Sequence, residues 1–124
     1  MRYEPAFQFV VRVAMTDLEI GGQAIQAGQQ IVSVLGAANR DPAQFSEPDK
    51  FDIQRHPNPH LAFGYGPHYC IGAALARMEG QVAFSTLLRR LGDLQLASDT
   101  PAWRPAFGVR SLETLPVTFS TVRP

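Results

Sequence analysis

The stretch Phe63-Gly-Tyr-Gly-Pro-His-Tyr-Cys70-Ile-Gly-Ala-Ala-Leu-Ala-Arg77 decides how this chain reads. It sets the single cysteine where a glycine-rich loop turns into a long helical pattern. Backbone N–H groups at a helix start lack intrahelical partners, and their field favours a thiolate over a thiol. Gly64, Gly66 and Gly72 bracket Cys70 and clear side chains from the backbone, so a flat or bulky group can approach. A stabilised thiolate below open space suits an axial ligand to iron. On this context alone, a small buried hydrophobe is an equal reading of a lone cysteine.

Downstream, Leu75, Met78, Val82, Leu87, Leu88 and Leu91 recur at helical spacing, which predicts one long helix over 71–91. Arg89 and Arg90 suit its last turn, and Gly92 is the expected stop. Residues 94–97 and 116–122 alternate like strands, and 106–115 resembles a hairpin between them. Upstream, 7–14 is aromatic and β-branched, 17–20 and 23–25 flank a Gly21-Gly22 turn, and 30–34 is a further short strand. These pieces predict one small twisted antiparallel sheet. From Asn39 to His60 no period survives, and Pro42, Pro48, Pro57 and Pro59 deny a helix or a central strand. A structureless segment of that length is either functional or a linker.

The 124 residues suffice for one ordinary domain. Lys plus Arg equals Asp plus Glu at 11 each, a balance that offers no footprint for nucleic acid or an acidic membrane surface. One cysteine allows no intrachain disulfide, which fits a reducing compartment. No apolar run approaches the roughly 20 residues of a membrane span, and no signal peptide is visible. The expectation is a cytoplasmic protein with neither nucleic-acid nor membrane partners.

Phe63, Gly64, Gly66, His68, Cys70, Gly72, Leu75, Ala76 and Arg77 match the pattern Phe-Gly-x-Gly-x-His-x-Cys-x-Gly-x-x-Leu-Ala-Arg without a departure. On these residues the chain resembles the C-terminal haem-binding portion of the soluble, bacterial cytochrome P-450 monooxygenases. Arg2-Tyr3-x-Pro5 resembles the end of that family's Glu-x-x-Arg helix. Asn39-Arg40-Asp41-Pro42, Phe45 and Pro48-Asp49-Lys50-Phe51-Asp52 resemble its meander. The resemblance implies a mixed α/β (α+β) fragment of a single domain. Its parts are a sheet region (1–38), a meander (39–62), the cysteine loop (63–70), a long helix (71–91) and terminal β strands (92–124). A family member would carry further helices ahead of Met1, with the Glu two residues before it. Alone, the fragment is expected to be poorly soluble and inactive, with no catalytic residue of its own.

By the same resemblance the cofactor is haem b, with Cys70 as the axial iron ligand, and the activity is hydroxylation of an apolar organic substrate. The thiolate would push electron density onto the iron and favour O–O cleavage. Electrons would come from NAD(P)H through a ferredoxin or flavoprotein reductase. Phe63 would shield the sulfur, and Gly64 and Gly72 would leave room for the ring. His68 would donate to a haem propionate. Arg12, the lone charge among Val10, Val11 and Val13, needs an anionic partner or must reach solvent, and the family's counterpart holds the other propionate. Arg2 would be the surviving arginine of a core lock whose second basic member is Lys50 or Arg55. Phe9 and Val10, and the turn at Phe107, Gly108 and Val109, fall in substrate-facing segments or in ordinary core. Arg77 is either a docking cation for an acidic partner or an internal salt-bridge member. Two other readings stand beside this one. One is a zinc module using His56, His60, His68 and Cys70. The other is a non-catalytic relic that binds nothing.

Overall fold

The structure is a computed structural model that describes residues 1–123, so Pro124, the end of the last expected segment, lies outside the described residues. The chain divides into two compact units, Met1–Ala62 and Phe63–Pro124. In the first, β1 (Val10–Val13) pairs antiparallel with β4 (Gln30–Ser33), with Arg12 opposite Ile31. Between them β2 (Leu18–Ile20) and β3 (Gln23–Ile25) form the hairpin across Gly21-Gly22. The expected single sheet is therefore two separate two-stranded ribbons. Neither ribbon pairs with the other, so their outer edges stay unladdered among the described residues.

After β4 comes a helical turn that the sequence reading lacked, α1 (Leu35–Ala38). At four residues it is too short to show a 3.6-residue period. No helix or strand is then described before a 3-10 turn at Gly66–His68, as the prolines require.

The second unit is built on α2 (Ala73–Arg90), followed by β5 (Leu91–Gly92), β6 (Gln95–Leu96), β7 (Val117–Thr118) and β8 (Thr121–Val122). β5 pairs with β8 and β6 with β7, both antiparallel. Gly92 does not stop the helix by a left-handed turn. Leu91 is already extended (φ −102°, ψ 115°), and the chain passes straight into β5. Glycine is needed there for space, because a Cβ at Gly92 would lie 2.5 Å from the Thr121 hydroxyl oxygen. The long connection between β6 and β7 is a hairpin whose arms meet at Trp103 and Leu112. Hydrogen bonds from Arg104 N–H to the Ser111 carbonyl and from Glu113 N–H to the Ala102 carbonyl flank that bridge. Its N-terminal arm begins earlier than the expected 106, since Pro105 interrupts the pattern beyond the bridge.

Among the described residues Ala14, Leu35, Phe45 and Ala73 are buried apolar side chains, three of them in the first unit. A compact monomer of 13.6 kDa exposes about 6,600 Å² by size scaling. This chain exposes 9782 Å². Leu75, Met78, Val82, Phe84 and Leu88 on α2 are each more than half exposed. No described helix is long and apolar enough to cross a membrane. Apolar area on this scale drives association. The isolated chain is expected to self-associate and to bind a hydrophobic dye. The double variant Val82→Glu, Leu88→Lys should shift sedimentation toward monomer without lowering far-UV helix content. A dye-silent monomeric parent would contradict this.

Candidate functional site

The cysteine loop closes on its own backbone. Cys70 N–H donates to the Phe63 carbonyl at 2.9 Å, and Tyr69 N–H donates to the Gly66 carbonyl at 2.9 Å. This tight return requires left-handed backbone at Gly64 (φ 74°) and Gly66 (φ 72°), which side-chain-bearing residues adopt only with strain. Cys70 emerges as an exposed free thiol, and its carbonyl accepts the Ala73 N–H at 3.1 Å at the mouth of α2. Gly72 is the N-cap, and a Cβ there would stand 3.8 Å from Cys70 Sγ. A small residue at 72 thus leaves the approach to the sulfur clear on that side.

Phe63 is half-buried and meets the Tyr69 ring edge to face, with centroids 6.3 Å apart. Arg77 completes this assembly. Its guanidinium lies 4.7 Å from the Phe63 ring centroid, and one Nη donates to the Tyr69 hydroxyl at 3.0 Å. The signature arginine braces the loop from one α2 turn, and among the described residues it makes no ion pair. Tyr69, which sequence reasoning passed over, supplies the acceptor, and its eight-residue offset from Arg77 gave no helical cue.

The other residues expected at the site are placed within their own units. His68 is exposed at the end of the 3-10 turn. Arg12 is exposed on β1 and donates to the Val11 carbonyl, with Phe9 and Val10 half-buried beside it in sequence. Val109 and Phe107 are exposed at the hairpin turn, where Gly108 has φ 77°.

Arg2 organises the meander. It is 4% exposed, yet its guanidinium donates to three carbonyls: Asn39 at 2.7 Å, Pro48 at 2.9 Å and Lys50 at 3.2 Å. It also lies over the buried Phe45 ring, 5.1 Å from the centroid. Burial, and then the neighbouring Arg55 and Arg40 charges, pull its ionisation below the ordinary arginine value, opposed by Asp49 and Asp52. Arg40 is pushed the other way, chiefly by its hydrogen bond to Asp49 at 2.9 Å. Of the two candidates for the second basic position, Arg55 is the one that reaches into the meander, donating to the Ser46 and Glu47 carbonyls at 2.8 and 3.1 Å. Its Nε is buried without an acceptor. Lys50 offers Arg2 its carbonyl and turns its ammonium to Glu47 at 3.4 Å on the surface.

Among the described residues no group of three or more His, Cys, Asp or Glu gathers to hold a metal, so His56, His60, His68 and Cys70 form no zinc cage. The comparisons agree on a different class. The cytochrome P450 family model matches residues 1–106, and the chain belongs to that family. The biotin biosynthesis cytochrome P450 of Bacillus subtilis is 54% identical over 119 residues, covering 96% of this chain and 30% of that protein. The steroid C26-monooxygenase of Mycobacterium tuberculosis is 43% identical over 126 residues, covering 100% of this chain and 34% of that protein. A crystal structure of P450BioI in complex with a hexadec-9Z-enoic acid ligated acyl carrier protein superposes with a TM-score of 0.92 at 55% identity. It covers 96% of this chain and 31% of that one. The chain thus spans about a third of the length of the relatives it matches.

Removing the Arg2 guanidinium would strand three carbonyls around a buried ring. Arg2→Ala is therefore expected to cost roughly 2–4 kcal/mol, and Arg2→Lys to recover only part, because one ammonium cannot reproduce the planar fork. Lys50→Ala should cost less than about 1 kcal/mol, since its ion pair is solvent-screened. Urea unfolding midpoints followed by tryptophan-independent circular dichroism would compare the three. Equal losses for Arg2→Ala and Lys50→Ala would refute the assignment of Arg2 as the organising residue.

Proposed function

We propose that this chain carries the cysteine-ligand side of a haem-thiolate monooxygenase, with Cys70 as the axial ligand to haem iron. The observation that carries the reading is the exposed Cys70 thiol, delivered by a loop closed on two left-handed glycines at the start of α2. The residues fit the group: a free, exposed sulfur with a glycine N-cap beside it. Once bound, the haem supplies reductive activation of dioxygen for hydroxylation of an apolar organic substrate, with electrons from NAD(P)H through a ferredoxin or flavoprotein reductase.

The chain's own residues hold and tune that group. The Cys70 N–H is committed to the Phe63 carbonyl and the Ala73 N–H to the Cys70 carbonyl, so the tuning of the sulfur is assigned to the Ile71 and Gly72 N–H groups. Phe63, held by Tyr69 and Arg77, is assigned to shielding the sulfur once the group is bound. Gly64 keeps the backbone open to the ring. Arg12 and His68, both exposed cations or donors, are assigned one propionate each. Phe9, Val10 and Val109 are assigned to the substrate side by their apolar character. Arg2 and Arg55 belong to a lock that a carboxylate completes: their charges repel, and Arg55 Nε is a buried donor awaiting an acceptor. A cytoplasmic setting follows from the soluble bacterial type to which the chain is assigned.

The test joins the portion of the Bacillus subtilis relative that precedes the matched region ahead of Met1, so that Cys70 is the candidate ligand. The ferrous protein with carbon monoxide is expected to show the thiolate-type band, and Cys70→Ser should abolish it. Arg12→Ala and His68→Ala should each weaken haem retention by roughly 1.5–3 kcal/mol, the worth of one charge-assisted hydrogen bond. A band that survives Cys70→Ser sinks the ligand assignment. The absence of any saturable haem spectrum in the chimera would support the relic reading.

A further inference from the structure

Tyr69 falls on an unfixed position of the cysteine pattern, and nothing in that pattern asks for a phenol there. It adjoins Cys70, whose carbonyl accepts the Ala73 N–H at 3.1 Å. The Ala73 carbonyl in turn faces one Nη of Arg77 at 3.5 Å, the long end of a hydrogen bond. The other Nη donates to the Tyr69 hydroxyl at 3.0 Å. These contacts close a ring that runs from Tyr69 through Cys70, Ala73 and Arg77 back to Tyr69. Every link lies within the second unit.

The turn enclosed by the ring cannot be held by packing of its own middle side chains, since Ile71 is fully exposed and Gly72 has none. Ala73, by contrast, is buried at the first position of α2, and Arg77 stands one turn further along the same helix. Two contacts of Arg77 reach back from the helix to the loop. The Phe63 ring face is a broad target over which a guanidinium can slide, whereas the Tyr69 oxygen is a point that fixes direction. We infer that Tyr69 is a positioning residue for the sulfur: through Arg77 its hydroxyl fixes the turn 70–73, which carries Cys70 and the N–H groups of Ile71 and Gly72. The consequence at iron rests on reading Cys70 as the ligand, but the ring itself is tested without haem.

The experiment is residue-resolved amide hydrogen exchange on the whole chain without haem, for the parent, Tyr69→Phe, Arg77→Met and the double variant. The Cys70 and Ala73 amides are expected to be protected in the parent. Tyr69→Phe keeps the ring against Phe63 and loses only the acceptor. It should speed both amides about fivefold, while the α2 amides at 82–88 keep their rates. Because the two residues act through one bond, the double variant should exchange within about twofold of Arg77→Met. Unprotected parent amides, an unaltered Tyr69→Phe or additive effects overturn the inference. Should Arg77→Met loosen 82–88 as well, Tyr69→Phe decides alone by the same criterion. A second measurement reads the sulfur itself. In the chimera described above, Tyr69→Phe should lower the haem reduction potential, because a loosened turn donates less to the thiolate. A bound haem with an unchanged potential overturns the positioning role. A thiolate band that survives Cys70→Ser fails the ligand reading instead, and exchange then judges the ring alone.

Discussion

A backbone that forms neither helix nor sheet must still satisfy its carbonyls, and in the first unit that demand falls on the Arg2 guanidinium. Its donors reach Asn39, Pro48 and Lys50, which lie at the beginning and in the middle of the irregular segment. Five donors in a rigid planar fork can serve several carbonyls at once, which no other side chain does. The cost is a cation nearly removed from water, partly offset by the Phe45 ring beneath it. Arg40 repeats the device at the rim, stacked 4.2 Å over Tyr3 while bonding Asp49 and the Tyr3 carbonyl. The meander is thus ordered by guanidinium chemistry where a ladder would otherwise do so.

The second unit solves a different problem, the presentation of one sulfur. A loop that must return within eight residues cannot use ordinary backbone at every position, and Gly64 and Gly66 absorb the reversal. The side chains then stiffen what the glycines permit. Tyr69, Phe63 and Arg77 interlock across the loop and the first turns of α2, so Cys70 sits between two fixed points. Rigidity of this kind is what an axial ligand needs, because its distance to a metal is set by backbone more than by the single Cβ–S arm.

Much of this was legible in the sequence because the informative residues announce themselves locally. Gly21-Gly22 marks its hairpin, the prolines mark the irregular segment, and the leucine spacing marks α2 within two residues at each end. The cysteine signature pointed to the family that the comparisons show. What stayed hidden depends on side chains that reach far along the chain. Arg55 finds the Ser46 and Glu47 carbonyls while Lys50 turns its ammonium to Glu47, a difference that neither residue type nor spacing reveals. Asn39 reads as an ordinary helix-ending residue until its bond to Leu61 is seen. Splitting of the expected sheet into ribbons likewise reflects partners in space, which an alternating pattern does not encode.

The balance between these polar ties and the apolar surface explains how the parts cohere. Among the described residues Ala14, Leu35, Phe45 and Ala73 are buried apolar side chains, while Leu75, Met78, Val82, Phe84 and Leu88 on α2 stay more than half exposed. The geometry is nevertheless that of folded P450 proteins, to a TM-score of 0.92. The exposed apolar side chains of α2 stand beside a loop ordered within its own unit by Phe63, Tyr69 and Arg77, and in the first unit the guanidinium bonds of Arg2 order the meander.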